Sequence, residues 1–421
     1  MLDLKYIREH PDLVREGIRK KGEVDNIDGI LKLDEQRREN LQKVEGLKNR
    51  RNVVSEEIGK LKRSGGDASV AITEMENVKN QIKTIDEELR HIEESLNKLM
   101  LTVPNVPHPS IPVGKTPADN VEIAKWGEPP VVDFPVKPHW ELVEKLDIID
   151  FGRGVKITGA GFPLYKGAGA KLQRALINFF LDEAAASGYK EIQPPLMVNA
   201  LSARGTGQLP DKEDLMYVIP KDEFYLIPTA EVPVTNIHRD EVLEEKDLPV
   251  KYCAYTPCFR REAGSYGKDV RGLNRLHQFD KVELVKFVHP AVSYNELDSL
   301  RDNAEQMLKK LGLHYRVLLM CTGDMGFTQS KKYDLEVWSI AQQRWLEVSS
   351  CSNFEAFQAR RTNIRFRPRG GGKPEFVHTL NGSGLALPRV VAALLEHYQT
   401  PEGKIVVPKV LHKYTGFEVI G

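Results

Sequence analysis

The chain of 421 residues is poor in cysteine: it has four, none of them in a C-x-x-C pair. So few thiols build neither a disulfide framework nor a zinc cluster. The expectation is reduced cysteines, a cytoplasmic location and no zinc. Apolar runs are short as well. None approaches the roughly 18 residues of a transmembrane helix, so no membrane partner is expected. The opening residues, Met-Leu-Asp-Leu-Lys-Tyr-Ile-Arg-Glu-His, carry charge throughout and make no secretory signal. Two common phosphate loops are missing. Gly370-Gly-Gly-Lys373 runs into Pro374 instead of a helix, and Gly167-Ala-Gly169 lacks the third glycine of a dinucleotide fingerprint. Net charge is absent too, because 60 Lys and Arg balance 60 Asp and Glu. A neutral sum argues against a polyanionic partner only where the charges are evenly spread. Here residues 34–63 carry a net +3, residues 257–286 a net +3 and residues 358–373 a net +6, while residues 211–247 hold eleven acids against four bases.

What is present divides the chain into three parts. In the first, residues 1–105, Met75, Val78, Ile82, Ile85, Leu89, Ile92, Leu96 and Leu99 follow one another at alternating spacings of three and four. That is the heptad pattern of a coiled-coil seam. Ile30, Leu33, Arg37, Leu41, Val44, Leu47, Arg51, Val54, Ile58 and Leu61 form a similar series, and Ser64-Gly65-Gly66-Asp67 separates the two. An antiparallel helical hairpin over about residues 30–100 is expected, its helices about 30 residues and about 45 Å long at ~1.5 Å per residue. Residues 70–100 carry a net −3 against the +3 of residues 34–63. Either the opposite charges pair across the hairpin, or Lys60, Lys62 and Arg63 near the tip, with Arg50 and Arg51, reach a phosphate backbone.

Residues 101–140 hold nine of the 25 prolines. Proline lacks an amide proton and fixes φ, so residues 106–140 read as an extended linker. Residues 141–421 read as the third part. Helical patterns cover residues 172–186, 295–311 and 389–397, and strand patterns cover 190–193, 224–227, 276–288 and 344–348. No strand–helix repeat points to a doubly wound parallel sheet. The expected fold class is α+β: the helical coiled-coil hairpin, then a domain built on an antiparallel β-sheet flanked by helices.

Three motifs in this domain carry chemistry. Pro257-Cys-Phe-Arg260-Arg261-Glu262-Ala-Gly264 and the strand holding Phe279 and Glu283 are joined by a Gly-Ser-Tyr-Gly loop and form an Arg-rich hairpin. Guanidinium groups grip phosphoryl oxygens bidentately, and Phe279 can stack on a base. Glu347-Val348-Ser349-Ser350 places a carboxylate and a hydroxyl three residues apart, oxygen donors suited to a hard cation. Thr379-Leu-Asn381-Gly-Ser383-Gly-Leu-Ala-Leu-Pro-Arg389 reads as a glycine turn that presents small polar groups, with an Arg at a helix start. Taken singly, each is also compatible with an ordinary surface turn or salt-bridged hairpin.

Together and in this order, they resemble motifs 2 and 3 of class II aminoacyl-tRNA synthetases, with residues 167–195 similar to motif 1. The N-terminal hairpin, Thr229-Ala230-Glu231, the Phe259-Arg260-Arg261-Glu262 run and Glu347-Val348-Ser349-Ser350 resemble the seryl-tRNA synthetases of the common bacterial and eukaryotic type. Arg261 departs from the family pattern, where many members carry Ser. The resemblance implies ATP-dependent attachment of L-serine to tRNA(Ser) through seryl-adenylate, and serylation of tRNA(Sec) where that tRNA exists. It implies that Arg260, Arg261, Glu262, Phe279, Glu347, Val348, Ser349, Ser350 and Arg389 bind ATP. Of these, Arg260 would hold the α-phosphate, Glu262 the adenine side and Arg389 the γ-phosphate, with Phe279 stacked on the ring. Glu347 and Ser350 would ligate Mg²⁺, and Thr229, Ala230, Glu231, Glu283 and Ser383 would bind serine. It further implies a homodimer whose arm acts across subunits. Two other readings remain: a class II synthetase for another small amino acid, and an inactive synthetase-like tRNA-binding adaptor.

Overall fold

The computed structural model describes residues 1–210, 212–262 and 271–421. The Gly-Ser-Tyr-Gly loop singled out above lies outside the described residues. The chain forms two compact units: Met1–Arg19 with Glu23–Pro104, and Lys20–Gly22 with Asn105–Gly421. Among the described residues, no helix is long and apolar enough to cross a membrane.

The first unit is the antiparallel hairpin. Its helices run Ile27–Arg63, 37 residues, and Ser69–Leu101, 33 residues. At ~1.5 Å per residue they are about 55 and 50 Å long, longer than the sequence pattern implied. On the second helix, Val78, Ile82, Leu89 and Leu96 are buried, each contributing roughly 1.5–3 kcal/mol by leaving water. The first helix departs from its expected seam. Leu41 is 40% exposed, while Asn40 beside it is buried and donates to Glu88 Oε2 at 3.2 Å. The departure is local: Asp34 is buried beside the expected Leu33, while Ile30, Val44 and Val54 keep the expected seam. Opposite charges pair across the hairpin at Arg37–Glu93, 2.9 Å, and Arg50–Glu74, 2.5 Å.

The second unit is built on an eight-stranded sheet. In chain order its strands are β1 (Val121–Trp126), β2 (Lys190–Glu191), β3 (Val250–Phe259), β4 (Gln278–Val288), β5 (Tyr315–Leu319), β6 (Lys331–Ser339), β7 (Arg344–Asn353) and β8 (His378–Ala386). Their spatial order is β1-β5-β6-β7-β8-β4-β3-β2. Every neighbouring pair is antiparallel except β2 with β3. β1 corrects the linker reading: five of its six residues, all but Ile123, pair with β5 and make the proline-rich segment an edge strand there. They lie between prolines rather than among them, so their amides are available to the ladder.

Helices Gly167–Ala186, Ser293–Leu311 and Leu387–His397 bury their apolar residues against the face of the sheet that carries Val282, Leu284, Leu335, Val337 and Leu380. A second correction concerns Gly382 and Gly384, which form no turn and lie inside β8. A Cβ on Gly382 would come within 2.2 Å of Leu300 Cδ2, and one on Gly384 within 3.1 Å of Leu284 Cγ. Glycine is needed there for close approach of side chains to the sheet. All four cysteines are unpaired and buried. Burial pushes the thiols of Cys253 and Cys351 up to about 12, so they are poor nucleophiles.

Candidate active site

β4 alternates strictly. Val282 and Leu284 point into the main core, so Phe279, Lys281 and Glu283 point to the opposite face, where a cleft of about 610 Å³ opens. Beyond them Val285 and Phe287 enter a second apolar cluster with Ala230, Val234, Ala359 and Phe366, which closes that end of the cleft. The walls come from residues 228–231, 260–262 and 273–276 and from the start of the helix at Leu387.

At the closed end stands a buried polar network. Glu283 is 1% exposed and is the strand partner of Ser383. One of its carboxylate oxygens accepts from Asn381 Nδ2 at 3.2 Å, and the other accepts from Thr229 Oγ1 at 3.2 Å. Lys281 Nζ pairs with that second oxygen and donates to Thr229 Oγ1 at 2.8 Å. Glu231, 7% exposed, accepts from Gln358 Nε2 at 2.7 Å, and Gln358 Oε1 in turn accepts from Thr379 Oγ1 at 2.8 Å. Burial, and then the charge of Glu283, push the Glu231 carboxyl up to about 7. Thr229, Glu231, Glu283 and Ser383 therefore line one end of the cleft. Ala230 does not line it: its methyl lies in the second apolar cluster.

The open end is cationic. Arg260 follows β3, donates to the Pro228 carbonyl at 3.3 Å and sets its guanidinium 5.0 Å from the Phe279 ring centre. Phe279 packs on the main core and also lines the cleft, where an aromatic ring can stack on a planar group. Glu262 has a left-handed φ of 50° and accepts from Arg275 Nε at 2.5 Å. Arg389, near the N-terminus of Leu387–His397, donates to the Asn274 carbonyl at 3.0 Å and to the Glu347 carbonyl at 2.9 Å. The loop that carries Asn274 is itself held from below. Leu273 N–H donates to His139 Nε2 at 2.9 Å, so His139 Nδ1 carries the proton and donates to Glu396 Oε1 at 2.9 Å. Arg261 is exposed; its amide donates to the Leu215 carbonyl at 2.9 Å, and its side chain is not part of the cleft lining.

Glu347 and Ser350 should face opposite sides of a regular strand, being three residues apart. They share a face because β7 bulges at Val348: Leu335 pairs with Ser349 and Glu336 with Glu347. Ser350 Oγ lies 3.1 Å from Glu347 Oε1 and donates to Asp334 Oδ1 at 2.6 Å, while Lys332 Nζ meets Asp334 Oδ2 at 3.0 Å. Enclosure by the cleft walls opposes ionisation of Glu347, but the charges of Lys332 and Arg389 outweigh it and hold that carboxylate below its ordinary value. Burial raises Asp334 instead. Ser349 Oγ donates to the Ser383 carbonyl at 2.6 Å, and Val348 is buried. No group of three or more His, Cys, Asp or Glu side chains placed to hold a metal occurs among the described residues. The carboxylate and hydroxyl of Glu347 and Ser350 are hard oxygen donors. Such a pair fits a Mg²⁺ ion that takes its other ligands from phosphate and water.

Several residues escaped the sequence reading: Lys281, Lys332, Asn274 and Arg275 in the cleft lining and, behind them, Asp334 and Gln358. Lys281 was detectable from the alternation Phe279, Lys281, Glu283. Lys332 and Asp334 repeat that alternation on β6, but nothing in the sequence says that β6 neighbours β7. In the first unit Arg50, Arg51, Lys60, Lys62 and Arg63 are all exposed, with Arg50 engaged by Glu74.

Residues 1–107 match the family described as the seryl-tRNA synthetase N-terminal domain, and residues 217–398 the tRNA synthetase class II core domain of the G, H, P, S and T enzymes. The serine–tRNA ligase of Salinibacter ruber is 58% identical over 425 residues, covering 100% of this chain and 99% of that protein. The chain belongs to the seryl-tRNA synthetase family. Among solved structures, the seryl-tRNA synthetase from Pyrococcus horikoshii complexed with ATP is similar with a TM-score of 0.95 and 38% identity, covering 100% of this chain and 99% of that one. The cytoplasmic serine–tRNA ligase of Naegleria fowleri in complex with AMP follows at 0.89 and 28%, covering 100% and 98%. Membership in this synthetase family accounts for the pairing of a helical hairpin with an antiparallel class II core in one chain.

Proposed function

We propose that the cleft carries out both steps of serine–tRNA ligation, with adenine, phosphates and serine laid in that order along its floor. The observation that carries this reading is the shared face of Phe279 and Glu283. Four residues of strand separate them by about 13 Å, which leaves room for ribose and α-phosphate between a stacked base and a bound amino acid. Phe279 stacks on adenine, Glu262 faces its edge, Arg260 holds the α-phosphate and Arg389 the γ-phosphate. Thr229, Glu231, Glu283 and Ser383 hold serine. A carboxylate oxygen of serine then attacks the α-phosphorus in line, and pyrophosphate leaves. The terminal ribose hydroxyl of tRNA displaces AMP from the seryl-adenylate.

Such phosphoryl transfer depends on placement and charge neutralisation more than on a side-chain base. Glu347 and Ser350 would hold a Mg²⁺ ion, whose chemistry is to neutralise the triphosphate. Selectivity for serine follows from the buried carboxylates. An amino acid without the hydroxyl leaves a polar group unpaired there, and one with an added methyl meets packed side chains. The hairpin, about 50 Å long, reads the shape of serine tRNAs through their backbone. It does so across the subunits of a homodimer in the cytoplasm, and tRNA(Sec) is served by the same surface where it exists. Serine-dependent ATP–pyrophosphate exchange, with threonine and alanine as controls, tests the reading. Exchange with serine alone is expected. Stronger exchange with threonine or alanine would move the chain to another amino acid, and no exchange with any would favour an adaptor.

A further inference from the structure

Lys281 has no task in the scheme above, yet it sits at the centre of the cleft floor. It is 6% exposed, two residues from Phe279 and two from Glu283 on the same face of β4. That places it about 7 Å along the strand from each, at the level where serine and the α-phosphate meet in the proposed arrangement. Its ammonium donates to Thr229 Oγ1 at 2.8 Å and pairs with Glu283. Thr229 Oγ1 in turn donates a hydrogen bond to Glu283, and Asn381 donates to the remaining carboxylate oxygen. The counter-ion of Glu283 is therefore a side chain of the same strand.

Serine carries an ammonium of its own to that carboxylate. Two ammonium groups held against one buried carboxylate repel each other, and Asn381 already occupies its other oxygen, so the arrival of the second favours release of the first. Lysine has a flexible four-carbon stem and can withdraw. Val285 and Phe287 of the second apolar cluster close the strand beyond Glu283, so the polar direction open to it is back towards Phe279.

We propose that Lys281 is a catalytic residue that changes counter-ions during the cycle. It neutralises Glu283 in the free enzyme, is displaced by the ammonium of serine, and then contacts the serine carboxylate and the α-phosphate as they react. In that step a carboxylate oxygen forms a bond to the α-phosphorus while the bond from that phosphorus to the bridging oxygen breaks. The electron pair leaves with pyrophosphate, and no proton passes through Lys281. The inference rests on the assignment of the cleft to serine adenylation. It adds a consequence of its own: serine and ATP bind cooperatively, and Lys281 carries the coupling.

The test is calorimetric titration of the full-length protein with α,β-methylene-ATP, which cannot be cleaved at the α–β position, in the absence and presence of saturating serine. In the native protein serine is expected to tighten the analogue at least ~5-fold. In Lys281→Met the analogue alone should still bind, the coupling should fall to none, and kcat for serine-dependent exchange should drop by about 10²-fold or more. Lys281→Arg, which keeps the charge, should retain part of the coupling. Native-level coupling in Lys281→Met overturns the inference. So does a variant that raises KM for serine and leaves kcat unchanged, because that assigns Lys281 to serine binding alone. Absence of coupling in the native protein also overturns it, whether or not the variants fold. Absence of serine-dependent exchange in the native protein instead sinks the assignment of the cleft.

Discussion

Replacing Glu231 by glutamine should make the second unit more stable at alkaline pH and change it little in acid. The carboxyl is 7% exposed; burial first, and then the charge of Glu283, move it from an ordinary value of 4.5 to about 7. Below pH 4.5 the group is neutral in both the folded and the unfolded chain and carries no penalty. As pH rises from there towards 7, the unfolded chain loses the proton and the folded chain keeps it, so stability falls by up to about 1.4 kcal/mol per pH unit. Above 7 both forms are ionised and the loss levels off. For a folded value near 7, linkage gives a loss of about 1 kcal/mol at pH 5 and about 3 kcal/mol at pH 8. The difference, about 2 kcal/mol, is what the variant should recover between the two conditions. Titrating groups remote from Glu231 are shared by the two proteins and cancel in the comparison, whereas Glu283, whose charge acts on Glu231, adds to the difference. Scanning calorimetry of both proteins at pH 5 and pH 8 measures it; for a unit of this size a gap wider by about 3 °C at pH 8 is expected. Parallel shifts at the two pH values would refute the reasoning, because Glu231 would then ionise as freely folded as unfolded. A second reading of the same group comes from binding. The ammonium of serine favours the ionised carboxylate, so serine should release a proton when it binds below pH 7. Calorimetric binding heats that do not change between buffers of different ionisation enthalpy would count against that contact.

Glu347→Ala should abolish ATP–pyrophosphate exchange without unfolding the sheet, since its carboxylate faces the cleft; retained exchange would end its role at the metal. Asp334→Ala and Ser350→Ala should each raise the Mg²⁺ concentration needed for tight ATP binding by about 10- to 100-fold, and the double variant should be no worse than either alone, because the 2.6 Å bond from Ser350 to Asp334 makes them one unit; additive losses in a calorimetric titration would separate them. Replacing residues 34–99 by a short turn should leave serine-dependent exchange intact and destroy tRNA charging, and charging at normal efficiency would remove the arm from recognition. Gly272→Ala should lower thermal stability by more than the roughly 1–2 kcal/mol of a left-handed backbone alone, since Gly272 has φ +66° and a Cβ there would lie 2.3 Å from His139 Nε2; an unchanged melting temperature would show that the loop before Asn274 yields freely.

The parts of the fold that could be read from sequence are those whose burial repeats locally. The seam of the second arm helix is one, because each heptad position faces the same neighbour for the full length. On the first helix Asn40 replaces Leu41 inside and Asp34 is buried beside Leu33. No spacing rule anticipates that, since each is held by polar partners, Asn40 by Glu88 and Asp34 by Arg8 and Arg38. β1 was hidden for a different reason. Its six residues are all exposed, so no buried face sets a strand apart from the proline-rich segment around it. Only the ladder to β5 makes them a strand, and that pairing spans nearly two hundred residues of chain. Gly382 and Gly384 look like a turn because glycine is the commonest turn residue. Their actual constraint is steric, imposed by Leu300 and Leu284, and is invisible until the helix and sheet are packed.

The grouping of Glu347 with Ser350 shows how a reading of two side chains can depend on a backbone feature that the motif does not display. Three residues along a strand is an odd number of steps, so regular alternation would send the carboxylate to one face and the hydroxyl to the other. The spacing would suit a helix, where third neighbours meet, but β7 is the seventh strand of an antiparallel sheet. Only the extra residue at Val348 restores the shared face. The same bulge leaves Asp334 directly across from Ser350 and Glu336 across from Glu347, so it also selects which carboxylate receives the serine proton. A deletion of one residue between Glu347 and Ser350 would shorten the spacing to two and keep both side chains on one face of a regular strand. If the residue removed is Val348, which has no partner of its own on β6, Glu347 stays opposite Glu336 and Ser350 opposite Asp334. Glu347 and Ser350 can therefore serve one cation because the β6 register, and not their spacing in the sequence, sets the face they share.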